Sequence, residues 1–220
     1  MVHVATAQYD LGVSFGIYEL YFRNIALIPE GRQWSAAMFY RERVASHTDL
    51  GVELLLVDRR LGGTWSTGEP RIYHDVQELW MQHLYVAPTV DVRMGRKGNN
   101  VVRFGPQFGL KLFESYTGEI NTGPPGSLNR SMVDDLVSAR TDHFRNEFRF
   151  LIGFGFRIPF GPRMAMVLDP YYSGGISSLL RDEPRVRVNE YGLRLGLAAR
   201  RYDRSLTQRI KEKRAPAEKE

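Results

Sequence analysis

Between Phe144 and Phe160 the chain alternates with a period of two. Even positions carry Phe144, Asn146, Phe148, Phe150, Ile152, Phe154, Phe156, Ile158 and Phe160. Odd positions carry Arg145, Glu147, Arg149, Leu151, Gly153, Gly155, Arg157 and Pro159. Side chains of a strand point alternately to its two faces, so this segment reads as a strand. One face is a wall of phenylalanine, and the other is charge and glycine.

The same period organises seven further segments. Tyr9, Leu11, Val13, Phe15 and Ile17 oppose Asp10, Gly12, Ser14 and Gly16. Trp34, Ala36, Met38 and Tyr40 oppose Ser35, Arg41 and Arg43. Leu50, Val52, Leu54 and Leu56 oppose Asp49, Gly51, Glu53 and Arg59. Trp80, Leu84, Val86, Pro88, Val90 and Val92 face away from His83, Thr89, Asp91 and Arg93. Val102, Phe104, Pro106, Phe108, Leu110 and Leu112 oppose Arg103, Gly105, Gln107, Gly109 and Lys111. Met164, Met166, Leu168, Pro170, Tyr172 and Ile176 oppose Asp169, Tyr171, Ser173 and Gly175. Tyr191, Leu193, Leu195, Leu197 and Ala199 oppose Gly192, Arg194, Gly196, Ala198 and Arg200. Eight strands of about 9 to 17 residues follow, several longer than the globular norm of about five or six.

The connections alternate in length. Long ones are expected at about 19–33, 61–76, 114–143 and 179–185. Short ones are expected at Ser46-His47-Thr48, Gly95-Arg96-Lys97-Gly98-Asn99 and Gly161-Pro162. Tight turns on one rim and long loops on the other are the pattern of an up-and-down membrane barrel.

Hydrophobic residues make up 43% of the 220, yet no run of eighteen or more apolar residues occurs. That excludes a transmembrane helix but not a barrel, whose lipid face takes every second residue. An eight-stranded soluble carrier of lipocalin type shares the alternation, and side-chain volume separates the two. The interior of eight strands is just wide enough for side chains. Phe104, Phe108, Phe148, Phe150, Phe154, Phe156, Leu193, Leu195 and Leu197 would overfill it, so they are expected to face lipid. Glycine then leaves lumen space for Arg103, Arg145, Arg149, Arg157 and Arg194, paired with Glu53, Asp91, Glu147 and Asp169. The expected fold is all-β: an eight-stranded antiparallel up-and-down transmembrane β-barrel in the outer membrane. Trp34, Trp80 and Tyr172 are expected toward the long-loop rim, and Tyr9, Tyr40 and Phe160 toward the other.

The barrel is expected to span residues 8–202. Ala5-Thr6-Ala7 before Gln8 has the form of a signal-peptidase site, so 1–7 reads as the end of a signal peptide, without the preceding charged and apolar regions. Residues 203–220 read as a polar periplasmic tail. Net charge is +5, but its 30 basic and 25 acidic residues are intermixed, with one basic cluster at the extreme tail. No nucleic-acid partner is expected.

Leu84-Tyr85-Val86-Ala87-Pro88-Thr89-Val90 resembles a strand of the PorT-like outer-membrane β-barrel proteins of Gram-negative bacteria. Val102-Arg103-Phe104-Gly105-Pro106-Gln107-Phe108-Gly109 is similar to the strand that follows it there. Phe150 to Phe156 and Asp169 to Ile176 are similar to that family's sixth and seventh strands. The resemblance covers about 77–202, departs at Val86 and Ala87, and extends to OmpX/OmpA-type eight-stranded barrels. It implies a role in secretion or envelope assembly. The final strand, with Glu190, Gly192, Leu195 and Leu197, also resembles the signal read by the barrel-assembly machinery. Outer-membrane lipid and that machinery are the implied partners, with a protein partner at loop 114–143 or the tail.

Catalysis by a lipid A deacylase or acyltransferase would need a Ser or Thr beside a His held by a carboxylate. The histidines are His3, His47, His74, His83 and His143. His74-Asp75 and Asp142-His143 lie at the long-loop rim without a family-spaced Ser, and His83 points into the lumen. No Cys is present and no metal-ligand spacing occurs, so no metal or cofactor is expected. A non-enzymatic barrel with a closed polar lumen is the favoured reading.

Overall fold

The computed structural model describes residues 6–23, 26–29, 33–67, 72–95, 99–121, 130–133, 146–178 and 187–204. These form β1 (Thr6–Arg23), β2 (Ala26–Pro29), β3 (Gln33–Ala45), β4 (Thr48–Thr67) and β5 (Ile72–Met94). They continue as β6 (Asn100–Asn121), β7 (Arg130–Val133), β8 (Glu147–Pro159), β9 (Met164–Gly175) and β10 (Arg187–Arg204). The eight long strands pair antiparallel in the cyclic order β1-β3-β4-β5-β6-β8-β9-β10. Pairing of β1 with β10, from Thr6↔Arg204 to Arg23↔Arg187, closes the barrel.

One circuit of cross-strand partners runs Tyr9, Glu42, Leu50, Val90, Phe104, Ile152, Tyr172, Tyr191 and Glu19. It returns to β1 ten residues beyond its start. That stagger over eight strands tilts them about 40° from the barrel axis. The two faces fall as the parity requires: Leu11, Val13, Phe15 and Ile17 are exposed, whereas Asp10, Gly16 and Tyr18 between and beside them are buried.

Three of the expected long connections contain strand among the described residues, and 179–185 lies outside them. β4 runs to Thr67 and β5 starts at Ile72, so most of 61–76 is a hydrogen-bonded hairpin. β1 extends to Arg23, and β2 adds to β4 at Leu61–Thr64. β6 extends to Asn121, where β7 pairs with it. At the loop end a five-stranded arm, β2-β4-β5-β6-β7, therefore continues beyond the last β3–β4 pair, Trp34↔Asp58, and the last β6–β8 pair, Gly109↔Glu147. Two causes hide it from a parity reading. The outer face turns polar at the exposed Arg60 and Glu78, and register shifts between Leu61 and Gly63, Val76 and Glu78, and Gln82 and His83 break the period. At the barrel's ends, Thr6 and Ala7 lie in β1 and Asp203 and Arg204 in β10, two residues outside the expected 8–202.

Candidate functional site

The lumen carries the densest chemistry. Seven arginines (Arg41, Arg59, Arg93, Arg103, Arg149, Arg157, Arg194) and seven carboxylates (Asp10, Asp49, Glu53, Asp91, Glu147, Asp169, Glu190) are buried in it among the described residues. Each projects inward because it holds an inward parity position of its strand. Toward the turns, Arg157 reaches Asp10 at 2.9 Å and Asp91 at 3.1 Å, and Arg93 reaches Asp49 at 2.7 Å. At mid-height, Arg103 donates from Nε to Asp91 at 2.8 Å and also binds Asp169, while Arg194 binds Glu53 and lies 3.2 Å from Asp169. Charges removed from water need such pairing, and no carboxylate of this set lacks an arginine.

Nearer the loop end the network changes character. Tyr85 accepts a hydrogen bond from Arg59 (2.6 Å) and donates one to Glu147 (2.5 Å), and Arg59 binds Glu147 directly. Arg149 donates to Glu190 at 2.8 Å, and Tyr171 donates to the other oxygen of Glu190 at 2.6 Å. Gly109 makes this possible, since a Cβ there would lie 2.4 Å from the Tyr85 ring. Above this belt the described lumen is mainly hydrocarbon, with the buried Gln33 amide bonded to the Arg60 backbone. Leu20, Phe22, Leu61, Leu79, Met81 and Val188 are buried in one apolar cluster that also contains Tyr18, Val57 and Tyr85.

Of the expected lumen residues, Arg103, Glu147, Arg149, Arg157, Arg194, Glu53, Asp91 and Asp169 all join the network. Arg145 lies outside the described residues. Sequence reasoning missed Asp10, Arg41, Asp49, Arg59, Arg93 and Glu190 as network members, although their parity already placed them opposite the apolar face. It also missed the apolar cap, which rests on parity positions that are themselves hydrophobic.

The exterior is the inverse. Phe104, Phe108, Phe150, Phe156, Leu193, Leu195 and Leu197 are exposed, and Phe148 and Phe154 are half-buried against Phe108 and Phe156. This reverses the soluble-carrier arrangement, which needs the same residues inside. From Tyr9 to Glu19, the first charged outer position above the apolar run, β1 climbs about 25 Å along the axis, at about 3.3 Å per residue and 40° tilt. Such a height matches the lipid-facing band of a transmembrane barrel, about 25 Å. Aromatic contacts mark both edges: Tyr9 on Tyr40 (5.8 Å between ring centres) at the turn end, and Trp34 on Phe15 (5.9 Å) and Trp80 on Phe113 (4.9 Å) toward the loops. Tyr172 pairs with Tyr191 on the loop-end half of β9, and Phe160 is exposed in the turn before it.

On the outer face of β4 and β5, at the level of Glu19, sits a polar patch. Asp58 faces outward beside Trp34 yet is 4% exposed. Its Oδ1 accepts hydrogen bonds from Trp80 Nε1 at 2.6 Å and Gln82 Nε2 at 3.0 Å. The Arg60 guanidinium lies 5.4 Å from the centre of the Trp80 ring.

The candidate catalytic groups are dispersed. His47 occupies the β3–β4 turn, and His83 is enclosed in the lumen, 6.0 Å from the Tyr85 ring centre and 3.8 Å from Glu147. His3, Asp142 and His143, and the side chain of His74, lie outside the described residues. No group of metal-ligating side chains occurs among the described residues. Within the expected assembly signal, Glu190 and Gly192 turn inward, with Gly192 against Tyr18 and Tyr171, while Leu195 and Leu197 face out.

No family model and no curated protein matches the chain. Among solved structures it is similar to the outer membrane protein OprG from Pseudomonas aeruginosa, at 9% identity, 90% and 97% coverage of the two chains and a TM-score of 0.48. It is similar to Ail, the attachment invasion locus protein of Yersinia pestis, at 14% identity, 89% and 99% coverage and a TM-score of 0.45. Neisserial surface protein A matches at 9% identity, 87% and 96% coverage and a TM-score of 0.42.

Proposed function

We propose that the chain is a non-enzymatic outer-membrane barrel that conducts nothing through its lumen and acts as a rigid mount for its loop-end arm. The observation that carries this reading is the filled interior: paired charges from the turn end to Arg59, then a hydrocarbon cap, all inside a lipid-facing wall. Eight strands leave little lumen to begin with, and these side chains occupy it. The arm β2-β4-β5-β6-β7 takes in parts of the 19–33, 61–76 and 114–143 segments and is the surface for a protein partner, as binding elements on a rigid scaffold generally are.

The PorT-like resemblance of 77–202 supports a place in a secretion or envelope-assembly complex. Glu190, Gly192, Leu195 and Leu197 serve as the assembly signal during biogenesis, and the tail beyond β10 is a second contact for a periplasmic partner. A lipid A–modifying activity finds no support in the placement of His47 and His83, one in a turn and one sealed in the lumen. Two measurements test the proposal. The unboiled protein should migrate differently from the boiled one in a detergent gel, and planar bilayers should show no sustained conductance. Steady channel openings, or a lipid A profile that changes when the protein is removed, would overturn it.

A further inference from the structure

The outer wall carries a groove that runs diagonally across six strands, from Met166 on β9 to Leu84 on β5. It is lined by Leu195 on β10, Phe15 on β1, Ala36 and Met38 on β3, Leu54 on β4 and Leu84 on β5. Ala36 forms its floor, a methyl group where the neighbouring outward positions hold long or aromatic side chains. Following the cross-strand register, the groove climbs toward the loop end and stops at Leu84, one outward position below Gln82. Directly above lies the polar patch. Trp80 is the cross-strand partner of Arg60, and Gln82 is the partner of Asp58.

The order of groups on that patch is specific. Asp58 fixes the Trp80 indole through its N–H, Trp80 offers its ring face to Arg60, and Arg60 is exposed. The carboxylate charge is turned to the indole and the Gln82 amide, and the guanidinium is the outermost group. A cation held over an aromatic ring at the hydrocarbon edge, with an apolar channel leading down from it, is complementary to a phosphate on an acyl chain.

We infer that β4 and β5 form a binding site for one membrane lipid, its phosphate on Arg60 and an acyl chain in the groove over Ala36. Asp58 is a positioning residue, acting through Trp80. The inference rests on the transmembrane reading and adds to it a defined lipid and a defined place.

Native mass spectrometry of the full chain in detergent tests it, with dimyristoyl phosphatidylglycerol and dimyristoylglycerol as probes. The wild-type barrel should retain one phosphatidylglycerol about tenfold more strongly than the neutral lipid, the scale of one charge-assisted contact. R60Q should abolish that preference, and A36W, which fills the floor, should reduce retention of both lipids. Both variants should keep the heat-dependent gel shift, because both positions lie on the outside of the wall. Equal retention of phosphatidylglycerol by all three proteins, or of the two lipids by wild type, would overturn the site. Loss of the gel shift in the wild-type chain, together with solubility without detergent, would instead overturn the transmembrane reading beneath it.

Discussion

The lumen has two regions that hold the same wall by different means. From the turn end to mid-height, arginines and carboxylates share partners: Asp91 touches Arg41, Arg103 and Arg157, and Asp169 touches Arg103 and Arg194. Toward the loops, Leu61, Leu79 and Met81 pack as hydrocarbon with no polar group to satisfy. The charged region gains little net free energy over an apolar filling, because taking ions out of water costs about what their pairing returns. What it gains is direction: an ion pair fixes which groups of different strands meet, as Arg157 does with Asp10 and Asp91, whereas hydrocarbon tolerates several packings of similar volume.

Removing single groups should separate the two regions. Arg103→Met leaves Asp91 and Asp169 short of a partner and is expected to cost about 3–5 kcal/mol, read from urea unfolding in lipid vesicles. A cost below that of the apolar substitutions would mean that the lower lumen is wetter than its burial indicates. Leu79→Ala should cost about 3 kcal/mol through the cavity it leaves, with the turn-end network unaffected. On the outside, Phe154→Arg places a charge in the lipid band and should cost about 2 kcal/mol, while Phe154→Leu should be close to neutral. If the two Phe154 variants unfolded alike, the outward assignment of that face would be wrong. The smallest effect is expected at Asp58→Asn, about 1 kcal/mol, since Trp80 and Gln82 keep a weaker acceptor.

The wall was readable from parity wherever one face meets lipid. Phe144 to Phe160 and Tyr191 to Ala199 declare both faces, and Glu53, Asp91, Arg103, Arg149, Arg157, Asp169 and Arg194 stand in the lumen as their positions require. Parity failed where both faces are polar or both are apolar. Beyond Asp58 the outer face turns polar at Arg60 and Glu78, and the bulges of the arm shift the phase, so strand pairing there resembles loop sequence. The cap is invisible for the opposite reason: Leu55, Val57 and Leu61 alternate with Leu54 and Leu56, and a run of leucines does not say which of them face inward. Asp58 was equally hidden, an acid at an outward position whose partners, Trp80 and Gln82, come from a strand over twenty residues away.

The β1–β10 seam has a consequence for the order of events during folding. The barrel's first strand in chain order is paired along its whole length with its last, Thr6 with Arg204 and Arg23 with Arg187. Until residue 204 has been delivered, β1 and the newest strand each present an open row of amides and carbonyls, which hydrocarbon does not satisfy. Insertion and closure are therefore coupled into one late step, slow in the manner of any contact between distant parts of a chain. A chain that ends before β10 is left with β1 and β9 as two open edges, which makes it a substrate for intermolecular strand pairing rather than a smaller barrel.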